Sequence, residues 1–157
     1  IAIGRNAPVG SAPSAEQLAS IDAISGACVL VTRECVEDIG LMAEDYFLYM
    51  EDLDWGLRRG KHRIGIASRA VIRHIGGTTI GSAVAIEKRS HLSIYLSARN
   101  SILYARRFAG WRWICHFGVG LLYAARYLVK GSPSASAVAF TGLLDGLGGK
   151  KGRPEAY

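Results

Sequence analysis

Three carboxylates in four positions, Glu51, Asp52 and Asp54, follow directly on the aromatic and aliphatic run Tyr46-Phe-Leu-Tyr-Met50. Acid set against apolar bulk can move a proton. Glu51 and Asp52 are neighbours, so they would diverge on a strand and lie about 100° apart on a helix, whereas Asp54 and Arg58, four apart, can pair along a helix face. A helix beginning near Glu51 would keep these acids ionised through its free N–H groups and dipole, which suits a base better than an acid. Acids are also common at helix starts for the dipole alone, and local spacing leaves both readings open. A second candidate is His74, followed by Ile-Gly-Gly-Thr-Thr-Ile-Gly over 75–81. A glycine-rich loop after a strand end can approach phosphate closely through Gly76, Gly77 and Thr78, and equally can be a plain connection.

Several elements must position these residues. Ile24 to Thr32 is a short β-branched run suited to a buried strand, with Gly26 marking either a close backbone approach or a bulge. Arg33 to Gly40 reads as a short helix closed by its glycine. The acid-bearing helix is expected to run from near Glu51 to about Arg59 and stop at Gly60, with short strands at Arg63–Ala67 and Ala70–His74. From Ile86 to about Phe108 the period turns helical, with Leu92, Tyr95, Leu96, Ile102 and Leu103 on an apolar face and Lys88, Arg89, Arg99, Arg106 and Arg107 on a basic one. Trp111 to Val129 is nearly long enough to cross a bilayer but is interrupted by Arg112, His116 and Arg126, which favours a helix lying at an interface or in a core over a span. Ser132 to Ser136 reads as a linker, Ala137 to Leu147 as a last helix, and 148–157 as a mobile basic tail.

Charge is unevenly divided along the 157 residues. Positions 1–55 carry two basic and ten acidic residues, a net of −8, and positions 56–157 carry seventeen basic and three acidic, a net of +14. The second part is therefore suited to an anionic neighbour, a nucleotide diphosphate or an acidic membrane surface. No nucleic-acid recognition signature is present, so that partner is not expected. Cys28, Cys35 and Cys115 are odd in number and show no CxxC spacing, which points to a reduced, cytoplasmic setting. The chain opens at Ile1 without a basic and apolar leader and is expected to continue a longer protein, 1–20 being the trailing end of a missing part.

Taken in order, Ser25-Gly26-Ala27, the Glu37-Asp38-Ile39-Gly40-Leu41 turn, Asp45 to Asp54, Leu57-Arg58, the strand ending in His74, and Tyr95-Leu-Ser-Ala-Arg-Asn100 resemble the family 2 glycosyltransferases, especially their rhamnosyltransferase-like branch. The resemblance spans about 21–108. It implies the C-terminal half of a GT-A fold, an α/β architecture, followed over 109–147 by amphipathic helices suited to a membrane surface. It also implies an inverting transfer from a nucleotide-sugar donor to a glycan or lipid-linked acceptor in cell-surface polysaccharide synthesis, at the inner face of the cell membrane. Asp52 would then be the general base, with Glu51 orienting the acceptor hydroxyl. Gly26, Asp54 and Trp55 would border the acceptor, and Gly76, Gly77 and Thr78 the diphosphate. His74 would be a ligand to Mg²⁺ or Mn²⁺, whose other ligands lie in the missing N-terminal half. The chain alone is expected to be inactive, and a homo-oligomer is left open. The alternative is a non-catalytic module that docks on a membrane or partner.

Overall fold

The structure is a computed structural model that describes residues 24–65, 67, 70, 72 and 89–155. The chain divides into two compact units, one of Ile1–Ala43 and Glu51–His74, the other of Glu44–Met50 and Ile75–Tyr157. Within the second unit the C-terminal helices share one core with the helix before them.

The described part of the first unit is built on two short helices. Helix α1 (Arg33–Ile39) starts at Thr32, whose hydroxyl accepts from the Cys35 N–H at 3.3 Å, and ends at Gly40, where φ is +74° and the N–H returns to Val36 O at 2.9 Å. A left-handed closing residue is the conformation glycine adopts without a Cβ penalty. Helix α2 (Glu51–Leu57) carries all three acids in its first turn, and the turn after it closes at Gly60, φ +56°. Arg58 ties the two helices together. Its guanidinium bonds Asp54 at 2.6 Å and also donates to Ile39 O and Leu41 O, while Trp55 Nε1 donates to Gly40 O at 2.8 Å. The carbonyls left over where α1 ends are thus met by side chains from α2 and the residue after it.

The buried strand expected at Ile24–Thr32 does not form. The backbone turns at 26–28, Leu30 is fully exposed, and no strand occurs among the described residues. A strand exists only through its ladder partner, and without one β-branched residues do not create sheet. Residues 63–65 are likewise irregular, and the strand expected at Ala70–His74 falls, apart from Ala70 and Ile72, outside the described residues. An α/β fold therefore has helices alone to its credit here.

The second unit is helical. Helix α3 (His91–Phe108) begins at Ser90, whose hydroxyl accepts from the Ser93 N–H at 3.2 Å. A 3-10 turn (Gly110–Arg112) leads to α4 (Trp113–Val129), and α5 (Pro133–Leu147) follows. Ile94, Ala124, Tyr127, Ala135 and Ala139 form the core that joins the three. The expected linker at Ser132–Ser136 is shorter than composition suggested, since Pro133 opens α5 with its φ already set for a helix.

Helix α5 lies almost directly on the backbone of α3. A Cβ added at Gly142 would fall 2.6 Å from Tyr95 O, and one at Gly146 would fall 2.6 Å from Arg99 O. Small residues four apart give α5 a flat edge, and the helices close on it. Gly146→Ala is therefore expected to lower stability by about 1–3 kcal/mol, as overpacking does in a close-packed interior. Gly118→Ala on α4, where an added Cβ meets nothing within 4 Å, should instead raise it by about 0.5–1 kcal/mol. Urea midpoints of the two variants make the comparison; a destabilisation shared by both would remove the steric account.

Two further differences from expectation concern this unit. Arg99, grouped by periodicity with the exposed basic face, is 1 % exposed. The stretch expected to be a mobile tail folds back instead: Gly152 N–H donates to Asp45 O at 2.7 Å, Arg99 donates to Gly152 O, and Lys151 pairs with Asp45 at 2.9 Å. Both follow from the five donors of a guanidinium, which can be buried when enough carbonyls converge on it.

Candidate functional site

The backbone immediately ahead of the acids is strained. Phe47, Tyr49 and Met50 have φ of +63°, +69° and +76°, although none is a glycine and all are bulky. Such conformations cost on the order of 1–3 kcal/mol each and persist only where surroundings impose them. Here the surroundings are Arg99 and Asn100, adjacent on α3 and both buried. Arg99 Nη2 and Asn100 Nδ2 each donate to Tyr46 O at 2.9 Å, and Asn100 Nδ2 also reaches Leu48 O at 2.6 Å and Tyr49 O at 3.1 Å. Arg99 Nε in turn donates to Asn100 Oδ1 at 2.9 Å, which fixes the amide with its nitrogen toward the turn. Tyr49 hydroxyl bonds Ser93 Oγ at 3.0 Å, and Tyr46 is buried. The Arg-Asn pair is thus a clamp on the carbonyls of the turn that ends at Met50, one peptide bond from Glu51.

The three acids have different surroundings. Asp52 Oδ2 accepts from the Gly26 N–H at 3.0 Å and Oδ1 from the Leu53 N–H at 2.9 Å, so each oxygen is oriented and keeps a lone pair. A Cβ on Gly26 would sit 3.3 Å from Asp52 Cβ, a contact tight enough that the loop or Asp52 would have to give by a few tenths of an ångström. Asp54 is fully buried against Arg58, and Trp55 is buried with its indole N–H on Gly40 O. Both help to hold α2 on α1. Glu51 has one oxygen, Oε2, that is buried without a hydrogen-bond partner. Burial pushes its carboxyl above the usual range, its own backbone N–H draws it partly back, and the Asp52 charge adds to the rise. At Glu51 desolvation thus works against the helix dipole, which was expected to favour the ionised form of all three acids.

This makes a prediction with a definite sign. A carboxyl whose folded pKa is raised adds stability below its unfolded pKa, and loses it as pH rises through the folded value. Glu51→Gln should accordingly raise the thermal midpoint at neutral pH and leave it unchanged at acid pH, below the ordinary carboxylate range. A variant that is equally stabilised at both would show that charge burial is not the cause.

Glu34, Asp38 and His62 form the one group of potential metal ligands among the described residues, their ligand atoms within 4.8 Å of one another. Lys61 Nζ already sits there, 3.0 Å from Asp38 and 3.8 Å from Glu34, and His62 Nε2 bonds Asp38 at 2.9 Å. Those hydrogen bonds from Lys61 and His62 hold the Asp38 carboxyl below its usual range. The cluster is a cation-filled latch between α1 and the turn after α2. His74, Gly76, Gly77 and Thr78 lie outside the described residues.

Sequence reasoning noticed Arg99 and Asn100 but not their task. The signal available was the pairing of a guanidinium and an amide on an otherwise apolar helix face; the strained turn they hold leaves no trace in residues as ordinary as Phe47, Tyr49 and Met50.

Comparison with known proteins adds to this geometry. Over 91 residues the chain is 34% identical to the N-acetylglucosaminyl-diphospho-decaprenol L-rhamnosyltransferase of two Mycobacterium tuberculosis strains. The match takes in 56% of this chain and 28% of the relatives, so the chain spans less than a third of their length. No protein-family model matches, and no solved structure matches. The likeness supports a glycosyltransferase relationship at the coarse level. No helix among the described residues is long and apolar enough to cross a membrane.

Proposed function

We propose that this chain forms the acceptor side of an inverting, family 2-type glycosyltransferase of GT-A architecture, which moves a sugar from a nucleotide donor to a lipid-linked glycan at a membrane surface. The observation that carries this is the Asp52 carboxylate, held by the Gly26 and Leu53 N–H groups at the start of α2 in a chain that resembles a rhamnosyltransferase. Asp52 takes the proton from the acceptor hydroxyl, whose oxygen attacks the anomeric carbon as the bond to the diphosphate breaks on the opposite face. The configuration inverts, and the proton stays on Asp52 until solvent removes it. Glu51, beside it, orients the hydroxyl. A divalent cation held with the help of His74 would neutralise charge on the departing diphosphate.

Membrane contact is part of the same proposal. Trp111, Leu122 and Val129 are 76%, 71% and 88% exposed, and Arg112, Arg126 and Lys130 lie along the same segment. Apolar area with interspersed cations suits the surface of an anionic bilayer at its cytoplasmic side.

The test is a transfer assay on the full-length protein with nucleotide-activated rhamnose and other nucleotide sugars, and with N-acetylglucosaminyl-diphospho-prenol as acceptor, the product's anomeric configuration being read by NMR. An inverted linkage is expected. Retention of configuration would remove Asp52 as base, and absence of transfer with every donor would favour a non-catalytic docking module.

A further inference from the structure

The helical unit holds a cavity of about 420 Å³ between α3, α4 and α5, within the ~300–1,000 Å³ typical of ligand pockets. Its walls are chiefly Ile94, Ala98, Val119, Tyr123, Tyr127 and Ala139. Ser97, Ser101, Arg89 and His116 are the polar members of a lining that is otherwise mostly apolar, whereas a sugar or nucleotide is held by polar groups around much of its surface. A hydrocarbon fits these walls. Ala98 and Ala139 bring little side-chain bulk, which leaves width for a methyl-branched chain, and Tyr123 and Tyr127 add aromatic surface to the same wall. Arg89 and His116 line the same cavity, so cationic or protonatable groups stand beside the apolar wall. An apolar pocket with such a margin matches an amphiphile that has an anionic head and a branched apolar tail.

We infer that this cavity holds the first isoprene units of a polyprenyl diphosphate, the carrier portion of the acceptor, with Arg89 and His116 toward the diphosphate. The inference rests on the glycosyltransferase reading and names the place where the acceptor's tail is gripped. An exposed α4 would let the rest of the tail remain in the bilayer while its head end is drawn in.

Cys115, exposed and lining the cavity, is a built-in reporter, and Cys28 and Cys35, in the other unit, serve as references. The experiment is alkylation of the full chain by iodoacetamide, followed peptide by peptide, with geranylgeranyl diphosphate added below its micellar concentration. Labelling of Cys115 should slow several-fold while Cys28 and Cys35 react as before, and Val119→Trp, which fills the cavity from an exposed position, should abolish the protection. Equal protection by inorganic diphosphate would reduce the site to an anion site. Equal protection by a straight-chain alkyl phosphate, or by phosphatidylglycerol, would assign it to bulk lipid, and no protection at saturation would remove it. Binding is read here without turnover. Protection in a protein that transfers no sugar would therefore sink the glycosyltransferase reading and leave the isoprenoid site standing, whereas transfer without protection would do the reverse.

Discussion

Asn100→Ala is expected to cost the helical unit about 3–4 kcal/mol, a large part of the ~5–15 kcal/mol that holds a domain folded. Asn100 is fully buried, and its amide nitrogen serves the carbonyls of Tyr46, Leu48 and Tyr49. Truncation leaves buried acceptors short of donors at about 1–3 kcal/mol apiece, and frees Arg99 Nε from the Oδ1 it bonds. It also releases a turn in which three bulky residues sit at positive φ, and the relief of that strain returns part of the loss. Asn100→Asp keeps the shape but sets a carboxylate against carbonyl oxygens, so it should fall at least as far as alanine. Arg99→Lys keeps the charge and loses the fork that reaches Tyr46 O and Gly152 O together, and should be intermediate. Urea midpoints of the three variants decide the matter. If Asn100→Asp matched the parent chain, the carbonyl clamp would not be what holds the turn.

The second large effect is on chemistry. Asp52→Asn in the full-length protein should reduce transfer by about 10²–10⁴-fold, the usual contribution of a positioned general base. The amide can still occupy the site and, with its oxygen turned to the Gly26 N–H, preserve that contact, so folding and donor binding should change little. Glu51→Gln, by contrast, keeps the base and should weaken acceptor use more than turnover. Near-normal turnover in folded Asp52→Asn protein would withdraw Asp52 from the mechanism; the uncommitted oxygen of Glu51 would then be the remaining proton acceptor on α2.

What could be read in the sequence was what short-range chemistry decides. Thr32 and Gly40 bracket α1, the acid cluster opens α2, and the 3.6 period over 91–108 and 113–129 gives α3 and α4. The site's ordering, Gly26 near Asp52 and Arg99-Asn100 downstream of both, came through resemblance and not through spacing. What could not be read depends on partners distant in sequence. Ile24–Thr32 has strand chemistry and no ladder, so it turns on Asp52 instead. Arg99 has the period of an exposed cation, yet carbonyls some fifty residues away in either direction draw it inside. Gly142 and Gly146 lie within the stretch read only as a last helix, and are the points where α5 comes closest to the α3 backbone. The pairing of Asp54 with Arg58, four apart, was by contrast legible from spacing, and it makes Asp54 part of the frame.

The return of residues 150–153 to Asp45 and Arg99 has a bearing on how the protein is made. A ribosome delivers Tyr46–Met50 long before it delivers Arg99, and Gly152 later still, so the turn ahead of the acids cannot be locked while synthesis is under way. Until α5 and the basic residues after it emerge, the nascent chain carries Glu51, Asp52 and Asp54 directly after a turn whose preferred backbone is a different one. Cleavage after Leu147 would leave Glu51, Asp52 and Asp54 in place and remove both the Gly152 carbonyl from Arg99 and the Lys151 ammonium from Asp45. Residues 150–153 thus act as a late fastening, and a change there reaches, through a single guanidinium, the turn at Tyr46–Met50.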